Sequence, residues 1–455
     1  MSCAATLPCF AFRKIAGEND ERIHAGESVG PLAGLPCWVG DNIYVEGMPC
    51  TAGCASFGGF YPSFTAELVS RAQAAGAVIM GKGTVGELSL SPGGNSAYGA
   101  VLNPYDSSRV AGGSAGGTAT LIGGRVAQFA VVTDIRGCAR LPAALCGVVG
   151  MRASAGRYPA QAPGTDGAHG ATLSFTSTLD GAGAQARCVR DLQLLDAVLA
   201  GEEVPAQAEL SHAPSLRGVR VGVPRSGFCE DLDEKTGAAF EAALRVLREA
   251  GAEVVDVTAR LGTGQSITAL AQTVADTLIA FEMPRQVEVL TRQRKDVGEA
   301  LASSEEGGDA RGMDRIAAAL RSQEGVNLFF NALQPDSEVT PAKYAAVLTE
   351  SLPAAKDAWQ RMVASVDLVV YPVSPIQPPA SDAEWTEFTP LWRNTTPASI
   401  AGAPAVALPT TNKMGLPVGI EFAGAHGHDD MVLRVARAFQ EVVEGGPNVP
   451  SKFLP

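Results

Sequence analysis

Two periods of apolar residues divide the chain: short apolar runs bounded by glycine or proline read as buried strands, and longer stretches with apolar residues three and four apart read as helices. Residues 65–75 (TAELVSRAQAA) have the helical spacing and stop at Gly76, after which Ala77-Val78-Ile79-Met80 predicts a buried strand delivering Gly81 and Lys82. VAQFAVVTD (126–134) predicts a second buried strand, and residues 191–199 a helix. From Gly30 to Cys54, β-formers alternate with glycine and proline, the pattern of strands and turns lying beneath a site. GVRVGVP (218–224), a helical stretch at 235–250 and the run Glu253 to Val257 predict a βαβ unit. Residues 265–362 read as mostly helical, interrupted by a Gly/Ser/Glu-rich break at 303–312 that suits a mobile cap. LVVYPVSP (368–375) predicts a strand, 407–424 a hairpin and 429–441 the closing helix.

Composition narrows the class. The chain has 455 residues, 46% hydrophobic and 18% charged, which is enough apolar material for one large α/β domain. A net charge of −13, with no basic run, argues against nucleic acid as a partner. No run of 18 apolar residues predicts a membrane span, and the start MSCAATLPCF is too short in its apolar part for a signal peptide, so the expected location is cytoplasmic. Nine scattered cysteines read as free thiols, not a disulfide framework. Cys50 and Cys54 have no second cysteine pair or histidine nearby and read as buried thiols, while His426, His428, Asp429 and Asp430 read as helix capping. No metal or organic cofactor is implied.

Residues 110–150 carry the chemistry. Gly112 to Gly117 (GGSAGG) forms a glycine-rich loop opening a helix, and Asp134 to Cys138 (DIRGC) a turn at a strand end, where several backbone N–H groups can face one oxyanion beside a thiol. A nucleotide cradle is disfavoured, because no lysine follows the glycines at P-loop spacing and no acidic residue is placed to read a ribose.

Gly81-Lys82, GGSAGG, Thr133-Asp134, Gly137, Arg140, Pro142 to Ala144 and Cys146 to Gly150 together resemble the signature of the amidase signature family, and the likeness runs from about Pro31 to about Gln440. That family uses a lysine, a serine after a cis peptide bond and a nucleophilic serine 24 residues further on. Carried over, these are Lys82, Ser114 and Cys138. The chain departs by having cysteine at 138, Ala115 where a second serine is usual, Arg136 where a small residue is usual, and Gly40 where a lysine is common. The resemblance implies an α/β fold at residues 29–455 with a central mixed twisted sheet covered by helices on both faces. Residues 1–28 would be an abbreviated N-terminal extension, and about 265–362 a cap-like helical region.

It also implies site roles. Lys82, freed of its proton by burial, would draw the Cys138 proton through Ser114, while the N–H groups of Ile135, Arg136, Gly137 and Cys138 face the acyl oxygen. Thr133, Asp134 and Arg140 would hold the turn. Tyr98 and Trp392 fall in loops expected to line the pocket, with 159–175 a third. Arg136 reads either as a reader of substrate carboxylate or as a solvated outward-facing side chain. A thiol could lose its proton outright to Lys82, which points to activated acyl groups such as ureas, esters or thioesters. The expected activity is hydrolysis of a C–N bond in a small amide or urea-type substrate through a thioester. The alternatives are acyl or amide transfer, or a non-catalytic scaffold subunit covered by a small partner; a homodimer is a further possibility.

Overall fold

A computed structural model describes residues 3–6, 9–27, 29–159, 171–173, 175–206, 214–261, 264–293, 316, 320, 339–410 and 415–443. The expected break at 303–312 and most of the 159–175 loop lie outside them. Eleven strands form one mixed sheet: β1 (Cys3–Thr6), β2 (Pro36–Gly40), β3 (Val78–Gly83), β4 (Phe129–Thr133), β5 (Val149–Arg152), β6 (Ala182–Ala186), β7 (Arg220–Val223), β8 (Glu253–Asp256), β9 (Leu368–Pro372), β10 (Ala405–Pro409) and β11 (Gly419–Ala423). Their order is β1-β3-β2-β4-β6-β5-β10-β11-β9-β7-β8. β3, β2 and β4 run parallel, as do β9, β7 and β8, while β4-β6-β5-β10-β11-β9 are joined antiparallel.

Strand periodicity explains why helices cover both faces. On β4, Phe129 and Val131 join one apolar cluster, whereas Ala130 and Val132 join another. The first face is covered by α2 (Glu67–Ala74), α5 (Val189–Ala200), α6 (Glu234–Glu249) and α10 (Asp429–Val442), through Val69, Leu195, Leu244 and Phe439. Against the second face lie α3 (Gly116–Gly123) and α4 (Arg140–Leu145), and further along α8 (Leu352–Val363), through Ile122, Ala143 and Trp359. The βαβ unit forms as the pattern predicts, with Asp233 capping α6 by accepting the Thr236 N–H at 2.7 Å. The hairpin also forms, with Leu408 opposite Ile420. Two further helices matter below, α7 (Ile267–Gln293) and α9 (Thr396–Ala401).

Two expectations change. The charged N-terminal stretch, which shows little periodicity, supplies the edge strand β1, paired antiparallel to β3, and helix α1 (Cys9–His24). An edge strand of four residues is held by its main chain and needs no side-chain period. Helix capping at 426–430 is also corrected. His428 occupies the N-cap of α10 without a side-chain capping bond. The Asp429 carboxylate instead accepts the Ser154 N–H at 2.8 Å and the Ser154 hydroxyl, tying α10 to the loop after β5.

Candidate active site

β3 carries Lys82 to a fully buried position, where Nζ donates to the carbonyls of Ile43 at 2.7 Å and Pro49 at 3.3 Å. The Asp41 carboxylate, equally buried, lies 3.6 Å from the same nitrogen. Ser114 precedes α3 in the glycine-rich loop, and the Gly113–Ser114 peptide is cis. Glycine is required at 113, because a Cβ there would lie 2.2 Å from the Ser91 carbonyl oxygen. The Gly117 N–H donates to the Thr84 carbonyl at 3.0 Å, which sets the start of α3 against the chain just beyond Lys82.

Cys138 ends the turn that follows β4. The Ala115 N–H donates to its carbonyl at 3.1 Å, so the two glycine-rich turns are joined directly. Its buried thiol donates to the Ser89 carbonyl at 3.6 Å. Burial, and then the Asp134 charge, push the thiol up from its ordinary range, while the Ser114 hydroxyl and the Ile135 N–H favour the thiolate.

Asp134 organises the turn. Its Oδ1 accepts the Gly137 N–H at 2.7 Å and its Oδ2 the Ala139 N–H at 3.1 Å, while Arg140 grips both oxygens at 3.0 Å. Burial raises this carboxyl, but Arg140, with Arg152 behind it, outweighs burial and holds it at about 2. Arg140 also donates to Glu421 of β11 and to the Ser399 hydroxyl of α9, at 2.7 Å for the latter. Because Asp134 takes the Gly137 N–H, the expected set of four oxyanion donors loses that one. Thr133 is held from the other side by the Asn42 amide, which donates to its hydroxyl at 2.8 Å.

Arg136 is neither solvated nor outward-facing. It is 4% exposed, its guanidinium lies 4.4 Å over the Trp392 ring, and its Nη1 pairs with Asp276 of α7 at 3.0 Å. The aromatic face and the carboxylate together compensate its burial. Trp392 is correspondingly buried beneath it. Tyr98 stays partly exposed, with its phenol beside Thr51 and Asp41. Burial and then the Asp41 charge push that phenol up.

Sequence reasoning missed Asp41, Asp276 and Thr395, whose hydroxyl donates to the Arg136 carbonyl at 2.6 Å. Asp41 had a readable signal, a carboxylate close after the apolar run Cys37-Trp38-Val39. The other two come from distant elements and leave none. Among the described residues no group of three or more His, Cys, Asp or Glu could hold a metal ion, and no helix is long and apolar enough to cross a membrane.

Mandelamide hydrolase of Pseudomonas putida is 30% identical over 458 aligned positions, covering 95% of this chain and 83% of that protein. A glutamyl-tRNA(Gln) amidotransferase subunit of Chlorobium phaeobacteroides (strain BS1) is 30% identical over 448 positions, covering 94% of this chain and 89% of its own. A crystal structure of an amidase superposes with a TM-score of 0.78 at 27% identity, covering 97% of this chain and 92% of that one. The family model described as amidase matches residues 1–433, and the chain belongs to the amidase family.

Proposed function

We propose that this amidase-family hydrolase opens the C–N bond of a small amide or urea-type substrate through a thioester on Cys138. What supports the reading is the main-chain contact between the segments that carry Lys82, Ser114 and Cys138: the Ala115 N–H donates to the Cys138 carbonyl and the Gly117 N–H to the Thr84 carbonyl, two residues beyond Lys82, while the Ser114 hydroxyl favours the Cys138 thiolate. In the first half-reaction the Cys138 S–H bond breaks and its proton passes through Ser114 to Lys82. Sulphur attacks the carbonyl carbon, and the N–H groups of Ile135, Arg136 and Cys138 receive the oxyanion. The C–N bond then breaks, the amine leaving with the proton returned through Ser114. Water attacks the thioester, and the acid departs as the thiol is restored.

Thiolate leaves more readily than an unprotonated amine, so activated acyl groups are the better substrates. Intact-protein mass spectrometry with para-nitrophenyl acetate tests the reading. One acetyl adduct is expected at Cys138, absent in Cys138→Ala and slowed about 10²–10⁴-fold in Lys82→Ala and Ser114→Ala. No adduct in the natural chain, or an unchanged rate in Lys82→Ala, overturns it.

A second reading, transfer of the acyl group to an amine, is supported by the likeness to the amidotransferase subunit. It predicts that added hydroxylamine diverts product from acid to hydroxamate at an unchanged rate of substrate loss.

A further inference from the structure

The proposed relay of Lys82, Ser114 and Cys138 gives no task to the buried carboxylate beside it, that of Asp41. Asp41 immediately follows β2, and its carboxylate is 0% exposed. An isolated carboxylate at such depth is costly, so its partners indicate what it is for. One oxygen lies 3.6 Å from Lys82 Nζ, and the other accepts the Thr51 hydroxyl. The Thr51 oxygen in turn accepts the Gly53 N–H at 3.1 Å, which fixes its orientation. The main chain of Asp41 is clamped as well: its N–H donates to the Gly83 carbonyl at 3.0 Å, and its carbonyl accepts the Ala52 N–H at 3.2 Å. The carboxylate is therefore fixed relative to the strand that carries Lys82. Of the other titratable groups nearby, the Tyr98 phenol faces it from the loop after residue 94, with the Cys50 thiol beside that phenol. Burial raises the Asp41 carboxyl and Lys82 draws it back, leaving it at about 6, so it is ionised above neutral pH.

The Ile43 and Pro49 carbonyls accept hydrogen bonds from an amine or an ammonium alike. The carboxylate, by contrast with these two carbonyls, distinguishes the two by charge. We propose that Asp41 is a fourth, positioning member of the Lys82–Ser114–Cys138 relay, holding the ammonium that forms on Lys82 as the Cys138 proton arrives through Ser114. In that step the S–H bond breaks and an Nζ–H bond forms; Asp41 keeps its charge and takes no proton. The proposal rests on the reading of Cys138 as nucleophile.

The test is the pH profile of Cys138 acylation by para-nitrophenyl acetate, whose leaving group needs no proton. Its acid limb therefore reports loss of the first proton from the site. Asp41→Asn keeps the shape and removes the negative charge, which makes that loss easier. The limb should move to lower pH by about 1–3 units, as expected for a charge within a few ångströms. The plateau rate should fall about ten- to a hundredfold, the equivalent of one to two pKa units of lost interaction between the Asp41 charge and the Lys82 ammonium. Thr51→Val leaves the carboxylate charged but without the donor that shares its charge, serves if Asp41→Asn does not fold, and should move the limb the other way, to higher pH, by less. Limbs that coincide with the natural chain in both variants, whatever the rates, make Asp41 merely structural and overturn the proposal. A natural chain that forms no Cys138 adduct overturns the nucleophile reading itself, which keeps the two failures distinct.

Discussion

At Cys138 a thiol occupies a turn in which the neighbouring groups have already chosen their partners. Gly137 shows how little slack is left. Its φ is +118°, and a Cβ there would lie 2.2 Å from the Thr395 hydroxyl oxygen that anchors the Arg136 carbonyl. Gly137→Ala should therefore cost about 1–3 kcal/mol in urea unfolding, the range for a side chain forced into a sparsely populated backbone region. It should also slow Cys138 acylation, because the turn that presents the sulphur must shift. Unchanged unfolding with unchanged acylation would mean that the turn is looser than its contacts indicate. Cys138→Ser asks the complementary question at the same place. With the acylation chemistry above, the serine variant should lose activity on para-nitrophenyl acetate, since a hydroxyl gives up its proton far less readily than a thiol.

Elements brace one another through a buried charge cluster under this turn. Arg140 at the start of α4 joins Asp134 after β4 to Glu421 on β11, and the Tyr371 hydroxyl of β9 donates to Glu421 at 2.8 Å. Burial pushes the Glu421 carboxyl up, and Arg140 only partly offsets it, leaving it at about 7 against an ordinary 4.5. Between these two values the folded chain holds more protons than the unfolded one, so stability is lost as pH rises through the window. Glu421→Gln removes that titration. Melting temperatures measured from pH 4.5 to 8 should shift in favour of the variant as pH rises, and parallel curves would refute the assignment. Removing Arg140 instead should cost about 3–5 kcal/mol, because it strands buried carboxylates.

At the scale of the sheet, one half carries the candidate site and the other its bracing. Lys82 rides on β3 and Cys138 follows β4, whereas Tyr371 and Glu421 come from β9 and β11, several strands away. The closing helix α10 packs the second half, with the Phe439 ring centred 5.5 Å from that of Phe422 on β11 and fully buried. Phe439→Ala should destabilise the fold by about 3–5 kcal/mol, the usual range for a buried aromatic. The loss should show in chemical unfolding; a loss below about 1 kcal/mol would mean that α10 docks weakly.

The sequence by itself determined the elements and the chemical outline. Helical spacing at 65–75, apolar runs at 77–80 and 126–134, and the βαβ period at 218–257 each state a local preference that burial then satisfies. The glycine-rich loop and the Asp134-to-Cys138 turn are equally local, because φ > 0 and close backbone approach demand glycine wherever the chain adopts them. Pairing across the sheet is a different matter. That β1 lies beside β3, that Asp276 of α7 reaches Arg136 and that Trp392 lies beneath it depend on contacts between residues far apart in sequence. Arg136 shows the consequence: its sequence neighbours allow a solvated side chain, and only the arrival of Asp276 and Trp392 compensates its burial. The surroundings of Lys82 were decided the same way, because the strand pairing of β2 with β3 is what places the Asp41 carboxylate beside it.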